Sequence, residues 1–204
     1  MAINFNYFID VSGAPLDKTV VGLASFNPHH ISRISKEFKR EFPKISRSKL
    51  KGAELGQNEL EGIMHFLDAN DVRTRAITFS SGDWSSNKRR FGDSAYFKER
   101  MMAVLYFKLL KDLTKPGLKY TIVMCKESYM DTEKASETLR RLSRANHMDY
   151  DISLSIVKQN STLRFADFVA SAGRKVQSTK LDKLKHYKTI PSDLEEAHLR
   201  KVFK

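Results

Sequence analysis

The sequence predicts an α/β fold, a mixed β-sheet flanked by helices. Two observations predict it. Stretches rich in branched and aromatic residues alternate along the chain with stretches whose apolar residues recur every three or four positions, the signatures of strand and helix. Turn-formers separate them: Ser12-Gly13-Ala14-Pro15, Pro43 and Pro116-Gly117 each fall between two such stretches.

The elements follow in order. Ile3 to Asp10 (INFNYFID) reads as a strand that Asp10 ends. Thr19 to Phe26 (TVVGLASF) reads as a second strand, forming a hairpin with the first. Ile31, Ile34, Phe38 and Phe42 are spaced for one face of a helix that stops at Pro43. Leu60, Ile63, Met64 and Leu67 mark a second helix, and Val72 to Phe79 a third strand. Phe97, Met101, Val104, Leu105 and Leu109 mark a long helix closed by Pro116-Gly117. Lys119 to Cys125 reads as a buried strand. Asp131-Thr132-Glu133 has the polar, acidic character of a helix start, with Ala135, Leu139 and Leu142 on one face. Tyr150 to Val157 reads as a strand and Leu163 to Val176 as a helix. The expected organisation is an α/β domain over 1–177, followed by a lysine-rich C-terminal helix or tail over 178–204.

Composition narrows the function classes. A chain of 204 residues with 41% hydrophobic and 10% aromatic content builds a real core. Cys125 is its one cysteine, which excludes an intrachain disulfide and a cysteine-rich zinc site. The longest apolar runs, such as Tyr120 to Cys125, are too short to cross a bilayer, and no basic region followed by an apolar run opens the chain. The expected address is the cytoplasm, with no membrane partner. A net charge of +12 points to polyanionic partners, nucleic acid ahead of an acidic membrane surface.

Two carboxylates stand in apolar surroundings. Asp10 closes an apolar strand, and Asp167 sits within LRFADFVASAG, Leu163 to Gly173, a helix apolar on more than one face. Burying an ionised carboxylate without a partner costs several kcal/mol, roughly. Either each has a structural partner (Asp10 capping the next turn, Asp167 pairing with Arg164 or Arg174), or the two meet around a metal. Mg²⁺ or Mn²⁺ suits the second case, because such ions take few protein carboxylates and complete their shell with water and phosphate. Glu54, in SKLKGAEL, is a further catalytic and metal candidate, read equally as a residue favouring the next helix start. Glu127, just beyond a strand end, is a metal candidate weighed against a solvated loop glutamate.

Three short motifs carry a resemblance. FIDVSG at Phe8 to Gly13, KLKGAEL in the middle of the chain and RFADFVAS at Arg164 to Ser171 occur in the order and spacing of domain-of-unknown-function family 3800, which the chain resembles from about Phe5 to Val176. That family is similar to ribonuclease H in fold. The resemblance implies a catalytic carboxylate on the first strand and another on the last helix of the fold, here Asp10 and Asp167, with Ser12 and Gly13 shaping the turn beside the first. Glu54 falls in the middle motif. The chain departs from the family pattern at Val11, where a second acidic residue is common, at Cys125 or Lys126, where an Asp is common, and at Arg164, commonly Gln.

Basic residues are grouped. Arg33, Lys36, Lys39, Arg40, Lys44, Arg47, Lys49 and Lys51 stand against only Glu37 and Glu41, and Arg174 to Lys204 is a second basic stretch. SSNKRRFGDSAYF, Ser85 to Phe97, sets Lys88, Arg89 and Arg90 among Trp84, Phe91 and Tyr96. Cations for phosphate beside aromatics for base stacking suit single strands; an exposed loop with ordinary core anchors is the alternative. His29 and His30 read as turn residues, since no spacing supports a zinc motif, and neither a phosphate-cradling glycine loop nor a nucleophile elbow is present.

The expected function is therefore a Mg²⁺- or Mn²⁺-dependent nuclease acting on DNA or RNA, with Asp10, Glu54 and Asp167 catalytic and Glu127 as a further ligand. Lys36, Lys39, Arg40, Lys49, Lys51, Lys88, Arg89 and Arg90 are expected to bind the nucleic acid. The alternative is a catalytically weakened or inactive module on the same fold that binds nucleic acid or a protein partner.

Overall fold

In the computed structural model, residues 5–13, 17–92, 94–111, 113, 119–146, 151–157 and 161–203 are described. Ala14-Pro15, Pro116-Gly117 and Tyr150 lie outside them. The elements run β1 (Phe5–Ser12), β2 (Thr19–Phe26), α1 (Pro28–Glu41), α2 (Pro43–Ser48), a 3-10 turn (Gly52–Glu54), α3 (Gln57–Ala69), β3 (Arg73–Phe79), α4 (Ser81–Phe91), α5 (Phe97–Leu110), β4 (Lys119–Cys125), α6 (Thr132–Arg144), β5 (Asp151–Val157), α7 (Leu163–Lys175), α8 (Ser178–Leu181), β6 (Tyr187–Ile190) and α9 (Glu196–Phe203).

The six strands form one mixed sheet in the order β5-β4-β1-β2-β3-β6. β1, β2 and β3 make an antiparallel meander, while β4 pairs parallel to β1, β5 to β4 and β6 to β3. Strand alternation divides β1 between two cores: Tyr7 and Ile9 face one layer, and Phe8 faces the other. The first layer is α5 with α6 and α9. Met101 through Phe107 are all buried, the mark of a helix enclosed on every side. Arg75, almost buried on this face, donates to the Leu109 carbonyl at 3.3 Å. The second layer is α1, α3 and α7, held by a knot of rings in which Phe38 contacts Phe42, Phe66, Phe165 and Phe168.

Several helix starts, those of α1, α4 and α6 among them, are closed by side chains. Asn27 Oδ1 accepts from His29 N at 3.1 Å, so the two histidines open α1. Ser80 and Asp83 cap α4 reciprocally, and Asp131 Oδ1 accepts from Lys134 N at 3.0 Å to start α6.

Four features differ from the sequence reading. β1 continues past Asp10 to Ser12, because β2 keeps pairing with it as far as Val20. Ser81–Phe91 is a helix; its period is hard to see because Trp84 is its one buried residue. Trp84 and Phe91 are core anchors and not stacking platforms. The Trp84 indole is fully buried with Nε1 donating to Thr19 Oγ1 at 3.0 Å, and Phe91 stacks on Phe203 at 4.6 Å. Tyr96 is the aromatic of that cluster left exposed, 52%. Finally, within the C-terminal stretch Tyr187–Ile190 adds the β6 edge strand, and α9 buries Leu199 and Val202 against the α5 layer.

Candidate metal centre

The site arises where two strands part. The parallel ladder of β1 and β4 ends at Ile9 opposite Met124. Beyond that point β1 follows β2 and β4 follows β5, up to Cys125 opposite Val157. Asp10 and Cys125 therefore flank the mouth of the split. Asp10 shares its face with Phe8, so its carboxylate faces the α7 layer.

α7 comes unusually near. Gly22, paired opposite Asp10, has no room for a side chain: a Cβ there would lie 2.3 Å from Ala170 N and 2.6 Å from Ala166 O. The backbone of α7 rests directly on β2, and this contact carries Asp167, the residue after Ala166, to the cluster. At the end of β1, Gly13 has φ 90°, and a Cβ would meet Lys18 O at 2.2 Å, so only glycine makes that turn.

Single oxygens of Asp10 and Glu127 and the sulfur of Cys125 lie within 4.8 Å of one another. Glu127 reaches the site from the loop after β4, its amide fixed by donation to Thr132 Oγ1 at 3.0 Å. Glu127 is mostly buried and is not a solvated loop glutamate; Oε1, like the neighbouring Tyr129 hydroxyl, is buried without a well-formed hydrogen bond. Asp10 Oδ1 accepts from the adjacent Val11 amide at 2.8 Å. Asp167 stands beside this trio, with Oδ2 accepting from Gly52 N at 2.7 Å and Ser171 Oγ at 3.4 Å from Oδ1. Arg164 does not pair with Asp167. Its guanidinium donates to the carbonyls of Leu50 and Ile45.

The electrostatics follow from burial and like charge. Burial foremost, then the charges of Asp167 and Glu127, push the Asp10 carboxyl up to about 8. Burial also raises Glu127 and Asp167, and raises the Cys125 thiol to about 12 with help from Asp10. Cys125 is therefore a neutral thiol at neutral pH. A set of partly desolvated carboxylates that repel one another is relieved by protons or by a cation.

Of the residues expected at the site, Asp10 and Glu127 come together, Asp167 stands outside that close group with its charge acting on both, and Glu54 does not join them. Its carboxylate accepts from Lys51 N at 2.6 Å, closing the 3-10 turn as a cap. Cys125 joins the site where the resembled family commonly has an Asp, although the sequence reading does not count it as a ligand. Nothing local distinguishes it, because its place depends on the register of β4 against β1. Lys36, Lys39 and Arg40 are exposed on α1, Lys49 and Lys51 on the loop between α2 and the 3-10 turn, and Lys88, Arg89 and Arg90 on α4. Arg90 pairs with Glu196 of α9.

No family model matches the chain, and no curated protein matches it. Among solved structures it matches a chain of the PCNA:ribonuclease HII complex from Archaeoglobus fulgidus, with a TM-score of 0.52 and 14% identity over 97% of this chain and 86% of that chain. The fold is ribonuclease-H-like. At that identity the likeness speaks for the fold alone. No described helix is long and apolar enough to cross a membrane.

Proposed function

We propose that this chain is a divalent-cation-dependent nuclease hydrolysing phosphodiester bonds in DNA or RNA. The observation that carries the reading is the convergence of Asp10 and Glu127 beside Asp167 at the split between β1 and β4 of a ribonuclease-H-like sheet. The donor set fits Mg²⁺ or Mn²⁺: hard carboxylate oxygens predominate, and Glu127 Oε1 is buried without a well-formed hydrogen bond. Asp10, Glu127 and Asp167 are the proposed ligands. Glu54 is left out, since its carboxylate is held by the Lys51 amide. A bound cation supplies positive charge against the charge that builds on a phosphodiester during hydrolysis.

The chain's own residues prepare the place. Gly52 and Ser171 orient Asp167, and Thr132 orients the Glu127 backbone. With its carboxyl near 8, Asp10 keeps a proton at neutral pH until a cation displaces it. Cation affinity therefore rises as pH approaches 8. The exposed lysines and arginines of α1, α4 and the 49–51 loop are proposed to hold the nucleic acid backbone.

One observation favours a second reading, a catalytically weakened module that binds nucleic acid. Cys125, a neutral thiol, stands where another carboxylate would complete the cluster, and a thiol is a poor ligand for Mg²⁺. The test is thermal unfolding and oligonucleotide cleavage, with and without Mg²⁺ or Mn²⁺, for wild type and Asp10→Asn. The nuclease reading expects cation stabilisation and cleavage in wild type, both lost in the variant. Equal melting shifts in the two proteins would overturn it. Cation stabilisation without cleavage would select the second reading.

A further inference from the structure

The segment from Leu50 to Leu55 is clamped to α7 more firmly than a connecting loop requires. Arg164 donates to the Leu50 carbonyl at 3.0 Å and also to that of Ile45. Lys175 donates to the carbonyls of Ala53 and Leu55, at 2.6 and 2.9 Å. Gly52 donates to Asp167, and a Cβ on Gly52 would lie 2.5 Å from Ser171 Oγ, so the segment sits flush against the helix. Glu54 closes the turn from within. Two cations and a carboxylate, groups that ordinarily face water, hold backbone here. Lys49 enters the turn in the left-handed conformation, φ 52°, uncommon for a residue with a side chain.

The consequence of this clamp is the placement of Lys51. Its side chain is exposed, and its charge acts on both Asp167 and Glu127. It forms an ion pair with neither, although all three residues are described. The backbone that carries Lys51 is fixed next to Gly52, whose amide is bonded to Asp167, and its exposed ammonium, in no ion pair with the carboxylates, is available to an incoming anion. The exposed cations of α1 and α4 have no such fixed relation to the carboxylates.

We infer that the Leu50–Leu55 segment is a phosphate-positioning arm, with Lys51 taking the backbone phosphate of a nucleic acid strand next to the bond presented to the carboxylates. This rests on the nuclease reading above and deepens it. Lys51 is a positioning residue: it fixes where the strand lies and leaves hydrolysis to the carboxylates.

The experiment separates this inference from the reading beneath it. Binding of fluorescent single-stranded DNA and RNA oligonucleotides is measured in EDTA, which stops metal-dependent cleavage, across a salt series. The proteins are wild type, Lys51→Met, Lys51→Arg and Lys134→Met, the last an exposed α6 lysine paired with Glu137. Losing one phosphate contact lowers the slope of log affinity against log salt by about 0.7 for a single strand. The expected result is that loss in Lys51→Met, alike for all sequences, with recovery in Lys51→Arg and no change in Lys134→Met. In Mn²⁺, Lys51→Met should raise KM more than it lowers kcat, the sign of lost ground-state positioning. An unchanged slope in Lys51→Met, or an equal loss in Lys134→Met, overturns the inference and leaves the nuclease reading standing. The expected slopes with no cleavage and no cation stabilisation in wild type uphold the arm as a binding site and overturn the nuclease reading instead. No binding by wild type even at low salt overturns both.

Discussion

The two faces of the sheet are built from the same strands and differ in kind. On the α5 face, Tyr7 and Ile9 of β1 meet an enclosed helix, and the layer is mainly apolar, with Arg75 bonded to the Leu109 carbonyl, and sealed by α6 and α9. On the α7 face, Phe8 meets the phenylalanine knot, and two residues on Asp10 opens the carboxylate cluster. One face is optimised for exclusion of water. The other keeps groups that burial penalises, where β1 and β4 separate and α7 presses nearest. Like charges gathered against desolvation on one face alone indicate that stability has been given up there for a purpose.

This contrast is open to test. The largest effect is expected on the sealed face. Leu105→Ala, at a fully buried position, should lower unfolding free energy by about 2–5 kcal/mol in a denaturant titration. The stabilisation brought by Mn²⁺ should be unchanged. If that response disappears as well, the two faces are not independent.

The next effect has the opposite sign. The folded-state carboxyl of Asp10 lies near 8, against an ordinary value of 3.8, so folding takes up a proton between those limits. The contribution of Asp10 to the stability of cation-free protein is therefore fully present at and below about pH 4 and is lost as pH rises to about 8. Asp10→Asn removes this loss. At pH 8 in EDTA the variant should be more stable than wild type by a few kcal/mol, because each pH step of one between those limits costs wild type on the order of 1.4 kcal/mol. Destabilisation on Asp10→Asn would mean that the aspartate is structural.

Gly22→Ala asks whether the close approach of α7 matters. The obstructing atoms are backbone, so the helix must move, at a cost of about 1–3 kcal/mol by chemical denaturation. Because the displaced helix carries Asp167, the cation-induced rise in melting temperature should shrink too. The smallest effect belongs to Gly62, within α3 on the same side of the sheet. A Cβ there finds Phe42 Cε1 at 3.7 Å, an ordinary contact. Gly62→Ala should raise stability by about 0.5–1 kcal/mol, with the cation response intact. A similar loss at both glycines would show that Gly22 has no special place.

Much of this was legible in the sequence where the signal is local. The alternation through NYFID and TVVGLASF, and the helical spacing of Phe38 and Leu60 with their neighbours, come from burial on one face of each element. Asp10 and Asp167 were legible because a charge amid apolar neighbours is anomalous whatever the fold. Glu127 and Cys125 were harder, since their meeting with Asp10 is set by a strand register joining residues far apart in the chain. Glu54 was misleading: Lys-Gly-Ala-Glu carries the spacing of a cap, and backbone took the carboxylate. α4 and β6 escaped notice for want of core residues, with Trp84 alone buried in one and the middle pair of the other exposed.

β6 also bears on how the molecule is assembled in time. It joins β3 in parallel, Thr74 meeting Tyr187, and β3 is the margin of the antiparallel meander that the first three strands build. That margin stays an open ladder of amides and carbonyls until a partner more than a hundred residues further along arrives. Closure over so long a loop is slow beside hairpin formation. The β1 margin likewise waits for β4, so a folding chain should pass through a species with its meander formed and both edges bare, the geometry that invites pairing with another copy. Refolding yield should fall with protein concentration for this reason, and a pulse of hydrogen exchange early in refolding should find β1 and β2 protected before Thr74 and Ala76 of β3.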